Sequence, residues 1–269
     1  MKFVFNQEKN DYNRNMLMMQ PKVEEAKAAL EKDDTDAYAW YVYGKALALE
    51  KRYDEAIEAH SQGIACDPFY APNYFGRGGK LNATGHFWGA LADYTMAIHL
   101  DSSNWLYWYY RATTLNLAGR LEESIDDFRQ CMKLTDPSEH YPLAHWIYST
   151  YVELGEYDKA EKSLEDVDAT IEPPQMDYGY CRTVRLYKGM VKPEEFIEPD
   201  MKDKVLPREN RVNLEKNGMY YGLYCYWTLH GEPEKAADAL RELMKVAYPG
   251  AFGYTKGLAV AKKLGIVKE

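Results

Sequence analysis

From residue 37 onward, apolar residues recur at steps of three and four, and the pattern breaks at Lys51-Arg52, Gly85 and Gly119. That step is the signature of helices with one buried stripe, and the breaks are stop signals. Asp67-Pro68 and Asp136-Pro137 add firmer stops, because proline has no amide hydrogen to continue a helix. The pattern predicts helix pairs at 37–49 and 53–66, 71–83 and 87–100, 104–117 and 121–134, and then 139–154 and 157–168.

The pairs repeat. Gly44, Gly78 and Ala112 stand 34 residues apart, as do Trp40, Tyr74 and Trp108, and Ala56, Ala90 and Ser124. Several registers kept at one period signal stacked copies of one supersecondary unit. A small residue on each of two facing helices lets their axes approach, while the aromatic fills the gap toward the next unit. Unit four keeps Gly155 and Ala160 but has Tyr148 where a small residue is expected, which predicts looser or shifted packing there.

Either side of the array the pattern thins. Residues 1–36 read as a polar start with one sticky patch, Met16-Leu17-Met18-Met19, followed by Pro21 and a capping helix over Val23 to Leu30. Residues 37–168 carry four regular units and 169–216 a divergent one, with Glu172-Pro173-Pro174, a helix near 176–189 ended by Gly189, a short turn at Pro193-Glu194-Glu195-Phe196, and a charged loop between Pro199 and Pro207. Residues 217–269 return to the register through Gly231, Ala236, Leu240 and Leu243, then close with Pro249-Gly250 and a small-residue helix over 251–264. Tyr220 to Trp227 is bulky on every side, so that helix is buried all round or meets another surface. The expectation is a single domain of about six helical pairs sharing one continuous core.

The motif Arg77-Gly78, Gly85, Ala90, Asp93-Tyr94, Ala97-Ile98 and Asp101 resembles the tetratricopeptide repeat, in its bacterial type. The resemblance implies an all-α fold, a right-handed α-α superhelix of helical hairpins with terminal capping helices, and a scaffold that binds a protein or peptide. It also implies a concave groove lined by first helices, with Tyr38, Tyr41, Lys45, Phe75, Asn82, Tyr109, Asn116 and His145 among its residues. Rigid rings and a few amides suit an extended peptide, and the same rings would equally fill the space between neighbouring first helices. The family's grip on a C-terminal carboxylate falls on Tyr41, Lys45, Gly76, Leu106 and Tyr110, where only Lys45 fits, so that activity is not carried over.

Charge adds one internal pairing. Arg77 and Asp93 are 16 apart, as are Arg111 and Asp127, while units without the arginine lack the acid. A partly buried guanidinium needs a carboxylate, so these are expected to be structural bridges across each pair. The net charge of −9 argues against nucleic acid and anionic membrane as partners. Cys66, Cys131, Cys181 and Cys225 have no metal-ligand spacing and are expected as buried or half-buried free thiols in a cytoplasmic protein. His140 and His145 are five apart, which does not put both rings on one helix face, and no phosphate loop or nucleophile motif appears. No metal, no cofactor and no catalytic residue are expected. The alternatives are a structural homodimer through the aromatic C-terminal helix and an enzyme of unknown reaction.

Overall fold

A computed structural model describes residues 15–16, 18–174, 177–197, 211–248 and 251–268, and every regular element among them is helical. Of the Met16 to Met19 patch only Leu17 lies outside the described residues, as do all of the Pro199 to Pro207 loop and Pro249-Gly250. The chain gathers into two compact units, residues 1–135 and 136–269.

The first unit holds α1 (Val23–Leu30) and three hairpins: α2 (Ala37–Leu49) with α3 (Tyr53–Cys66), α4 (Ala71–Ala83) with α5 (Phe87–Leu100), and α6 (Trp105–Leu117) with α7 (Leu121–Leu134). Two of the three first helices, α2 and α6, start in matching ways. Asp36 accepts from the Tyr38 amide and Asn104 from the Leu106 amide, each satisfying one orphan donor of a first turn. The Trp40 and Trp108 indoles donate to the carbonyls of Asp34 and Ser102 at 2.7 and 2.9 Å, which fixes the chain's entry into each helix.

Inside the hairpins the small residues meet rings. A Cβ on Gly44 would lie 2.7 Å from the His60 ring, and one on Gly78 would lie 2.9 Å from the Tyr94 ring. Ala112 and Phe128 hold the equivalent places and both are fully buried. Each small residue thus faces a ring 16 positions later, at His60, Tyr94 and Phe128. Across the start of the array, α1 lays Val23 and Ala26 against Ala46, Leu47, Ala56 and Ala59, covering a face that would otherwise be wet.

The second unit holds α8 (His140–Leu154), α9 (Tyr157–Lys162), α10 (Tyr178–Tyr187), α11 (Pro193–Phe196), α12 (Arg211–Leu229), α13 (Pro233–Lys245) and α14 (Phe252–Lys263). The fourth pair's second helix stops at Lys162 instead of running to 168. Its released carbonyls at Leu164 and Val167 accept from the Lys188 ammonium, both at 2.8 Å, so the chain turns without leaving buried acceptors bare. At Tyr148 the packing is shifted: its ring stacks at 3.8 Å between centroids on Tyr187 of α10, outside its own pair, and α8 is buried along most of its length.

The bulky run on α12 finds its partners within the chain. Tyr221 and Cys225 are buried, Met219 packs with Leu186 and Phe196, and Gly222 admits Thr183 of α10. The helix also begins at Arg211, earlier than the register implied.

Candidate functional site

Arg77 and Arg111 repeat one arrangement. Arg77 donates through Nε and Nη2 to both Asp93 oxygens at 2.8 Å, and Arg111 reaches Asp127 at 2.7 and 2.8 Å. The third nitrogen looks the other way. Nη1 of Arg77 donates to Ser61 Oγ at 3.1 Å, and Nη1 of Arg111 donates to Thr95 Oγ1 at 3.2 Å. Ser61 and Thr95 donate in turn to carbonyls of their own helices, Ile57 and Leu91. Each guanidinium therefore joins its own hairpin's second helix to the second helix of the hairpin before. Fork geometry suits this, because planar donors meet two oxygens at once and keep one free. The hydrogen bonds that Arg77 donates to Asp93 push its pKa up. These residues hold hairpins together, and Arg111 and Asp127 also line an open cavity of about 260 Å³ with Arg120, Glu123 and Asp126.

His60 and Asn73 form a second joint that the sequence did not suggest. His60 is fully buried, and its Nδ1 stands 3.2 Å from Asn73 Oδ1, an oxygen that only accepts, so the proton sits on Nδ1. Asn73 Nδ2 donates to the Ala37 carbonyl at 2.9 Å. Burial pushes the His60 pKa down to about 4, so the ring is neutral at ordinary pH. The clue in the sequence was positional: His60 lies 34 before Tyr94, in the ring series.

The first helices α2, α4 and α6 lie side by side, and a cavity of about 130 Å³ opens among them. It is lined by Tyr41, Lys45, His60, Phe75, Gly76, Gly79, Lys80 and Tyr110. A Cβ on Gly76 would lie 2.3 Å from His60, so glycine there is what leaves the ring its place. Phe75 is half-buried, 5.1 Å from both Tyr107 and Tyr110 by ring centroid. Two ammonium groups share this floor. Burial, with the charge of Lys80 second, pushes the Lys45 pKa down to about 8, and burial also lowers that of Lys80. Lys80 lies over the Tyr53 ring at 5.8 Å and makes no ion pair among the described residues.

The expected groove residues divide by their surroundings. Tyr38 is exposed, while Lys45, Phe75, Asn82 and Tyr109 are half-buried. Tyr41 lines the cavity although it is buried, its ring 5.9 Å from that of His60 and 6.4 Å from that of Tyr70. Asn116 is 2% exposed and donates to Ser124 Oγ within its own hairpin, so its amide serves packing. His145 belongs to the second unit and is fully buried, with Nδ1 3.0 Å from Tyr187 Oη and rings of Trp146, Tyr180 and Tyr221 around it. Both were assigned by position in the repeat, and position does not report how much neighbouring helices cover. Lys80, which sequence reading passed over, is the second cation of the cavity.

Cysteine placement also departs from expectation at one position. Cys131, Cys181 and Cys225 are buried free thiols, whereas Cys66 is exposed at the end of α3, where its thiol donates to the Asp34 carbonyl. Among the described residues no cluster of His, Cys, Asp and Glu is arranged to hold a metal, and no helix is long and apolar enough to cross a membrane.

The model of the tetratricopeptide-repeat family matches residues 23–71, which span α1 and the first hairpin. That stretch reads as a tetratricopeptide repeat. Protein bimA of Emericella nidulans is 25% identical over 105 residues, which is 39% of this chain and 13% of that protein, so the chain spans a small part of the relative it matches. Among solved structures, a tetratricopeptide repeat protein from Parabacteroides merdae superposes with a TM-score of 0.54 at 13% identity, over 88% of this chain and 91% of that one. YrrB, described as a tetratricopeptide repeat protein with an unusual peptide-binding site, gives 0.52 at 13% identity, over 90% of this chain and 99% of YrrB. At such identities these likenesses speak for the tetratricopeptide fold.

Proposed function

We propose that this protein is an interaction scaffold and that the first-helix face of its first unit binds a peptide or an extended protein segment. One observation carries the reading: a cavity floored by Phe75 and Tyr110 also presents Lys80, a cation with no acidic partner among the described residues. Half-buried rings offer apolar area that is already ordered, and a desolvated ammonium offers a donor whose strength rises away from water. An apolar segment with carbonyl or acidic oxygens fits both. The peptide-binding site named for YrrB agrees with this choice of ligand class. Buried free thiols at Cys131, Cys181 and Cys225 agree with a reducing, cytoplasmic setting.

The test is selection of peptides from a displayed library on the full chain, followed by affinity measurement on variants. Tyr38→Ala with Lys80→Glu should weaken the selected peptides at least tenfold, and Trp88→Ala, on the exposed side of α5, should leave them unchanged. Equal affinity for all three proteins would remove the reading.

A further inference from the structure

Residues before α1 return to the cavity. The Met19 amide donates to the Asn15 carbonyl at 3.0 Å, closing one helical turn, and the Lys45 ammonium donates to the Met16 carbonyl at 2.7 Å. A last-turn carbonyl has no partner within its helix and is normally met by water or a cap. Here the cap comes from the middle of α2, 29 residues along the chain, from a side chain that lines the cavity beside Tyr41 and Lys80. Met16 and Met19 are half-buried, and Met18 stands open at 42% exposure. Methionine is well suited to such a place, because its unbranched thioether fills irregular apolar surfaces and leaves them readily.

We propose that the stretch entering α1, carrying Met16, Met18 and Met19, is a built-in occupant of this face, latched by Lys45, which an incoming segment must displace. The inference rests on the reading of the first-helix face as the binding face. Three features agree on the occupant. The stretch is tethered, so its local concentration is high without any new contact. It offers a main-chain oxygen to the cation that a partner's oxygen would use. Its half-buried Met16 and Met19 supply apolar surface of the kind an aromatic-lined cavity accepts. A scaffold of this kind reports a lowered affinity in the free chain, reduced by the fraction of time the latch is closed.

Amide exchange of the full chain, read by mass spectrometry, tests the latch without a partner. Lys45→Met keeps the apolar stem and removes the donor, so exchange at Met19 and its neighbours should rise roughly tenfold, the size of one charge-assisted hydrogen bond, while amides of α2 stay as they were. Unchanged exchange overturns the latch, and so does protection at Met19 that depends on protein concentration, which would place the stretch on a second copy. A labelled synthetic copy of residues 12–20 tests the competition. It should bind the full chain carrying Met16→Asp and Met19→Asp at least tenfold more tightly than the unaltered chain, and equal affinities would contradict displacement. Failure of the library selection with a positive exchange result would remove the binding function and keep the latch.

Discussion

Lys51 stands where the next two units have glycine. The residue closing α2, α4 and α6 is left-handed in each case, with φ of 62° at Lys51, 83° at Gly85 and 80° at Gly119. A side chain in that conformation costs about 1–2 kcal/mol, so Lys51→Gly should stabilise the protein by about 1 kcal/mol in chemical denaturation. A loss would show that the lysine makes a contact that outweighs its strain. His60 supplies a pH dependence. Its pKa is near 4 when folded against 6.5 as the ordinary value, so the unfolded chain takes up the proton first as pH falls. Stability from neutral His60 is intact above 6.5, and on the order of 3 kcal/mol is lost by pH 4. His145, pushed by burial to about 3, adds in the same direction. His60→Gln should flatten much of that slope, and the His60 ring resonance should not move above pH 5.

At the scale of the element, hairpin geometry separates glycines that look alike. Gly76 and Gly79 share one helix, yet a Cβ at 76 meets His60 at 2.3 Å, while at 79 the nearest atom is Tyr94 Oη at 3.8 Å. Gly76→Ala should therefore cost about 1–3 kcal/mol by overpacking, and Gly79→Ala should be neutral or gain up to about 1 kcal/mol from helix propensity. The arginine joints make a second pair of expectations. Asp127→Ala leaves the half-buried Arg111 uncompensated and should cost about 3–5 kcal/mol, whereas Arg111→Met with Asp127→Leu should recover most of that loss. Elements of the first unit were legible because their boundaries repeat every 34 residues, down to the residues that end each helix. The hydroxyls of Ser61 and Thr95 were not, since a serine or threonine on a helix face has no marker for a guanidinium arriving from another hairpin.

Over the whole molecule, legibility follows the period. Residues 37–134 keep one register, so like residues take like surroundings and the sequence alone places them. Beyond Asp136 the helices α8, α10, α12 and α14 meet through one-off contacts such as Tyr148 on Tyr187 and Lys256 with Glu153 at 2.6 Å, which no spacing encodes. Of the expected groove residues, Tyr41, Lys45 and Phe75 line the cavity, Tyr38, Asn82 and Tyr109 do not, and neighbouring helices bury Asn116 and His145. The cavity itself depends on glycine at 76 and on Lys80, side chains whose meaning appears only once α2 and α4 lie together. The central claim is that the first-helix face of the first unit is the binding face. An amide-exchange footprint of the full chain with a saturating selected peptide tests it directly. Added protection is expected in α2, α4 and α6; protection confined to α3, α5 and α7, or to the second unit, would contradict that binding face.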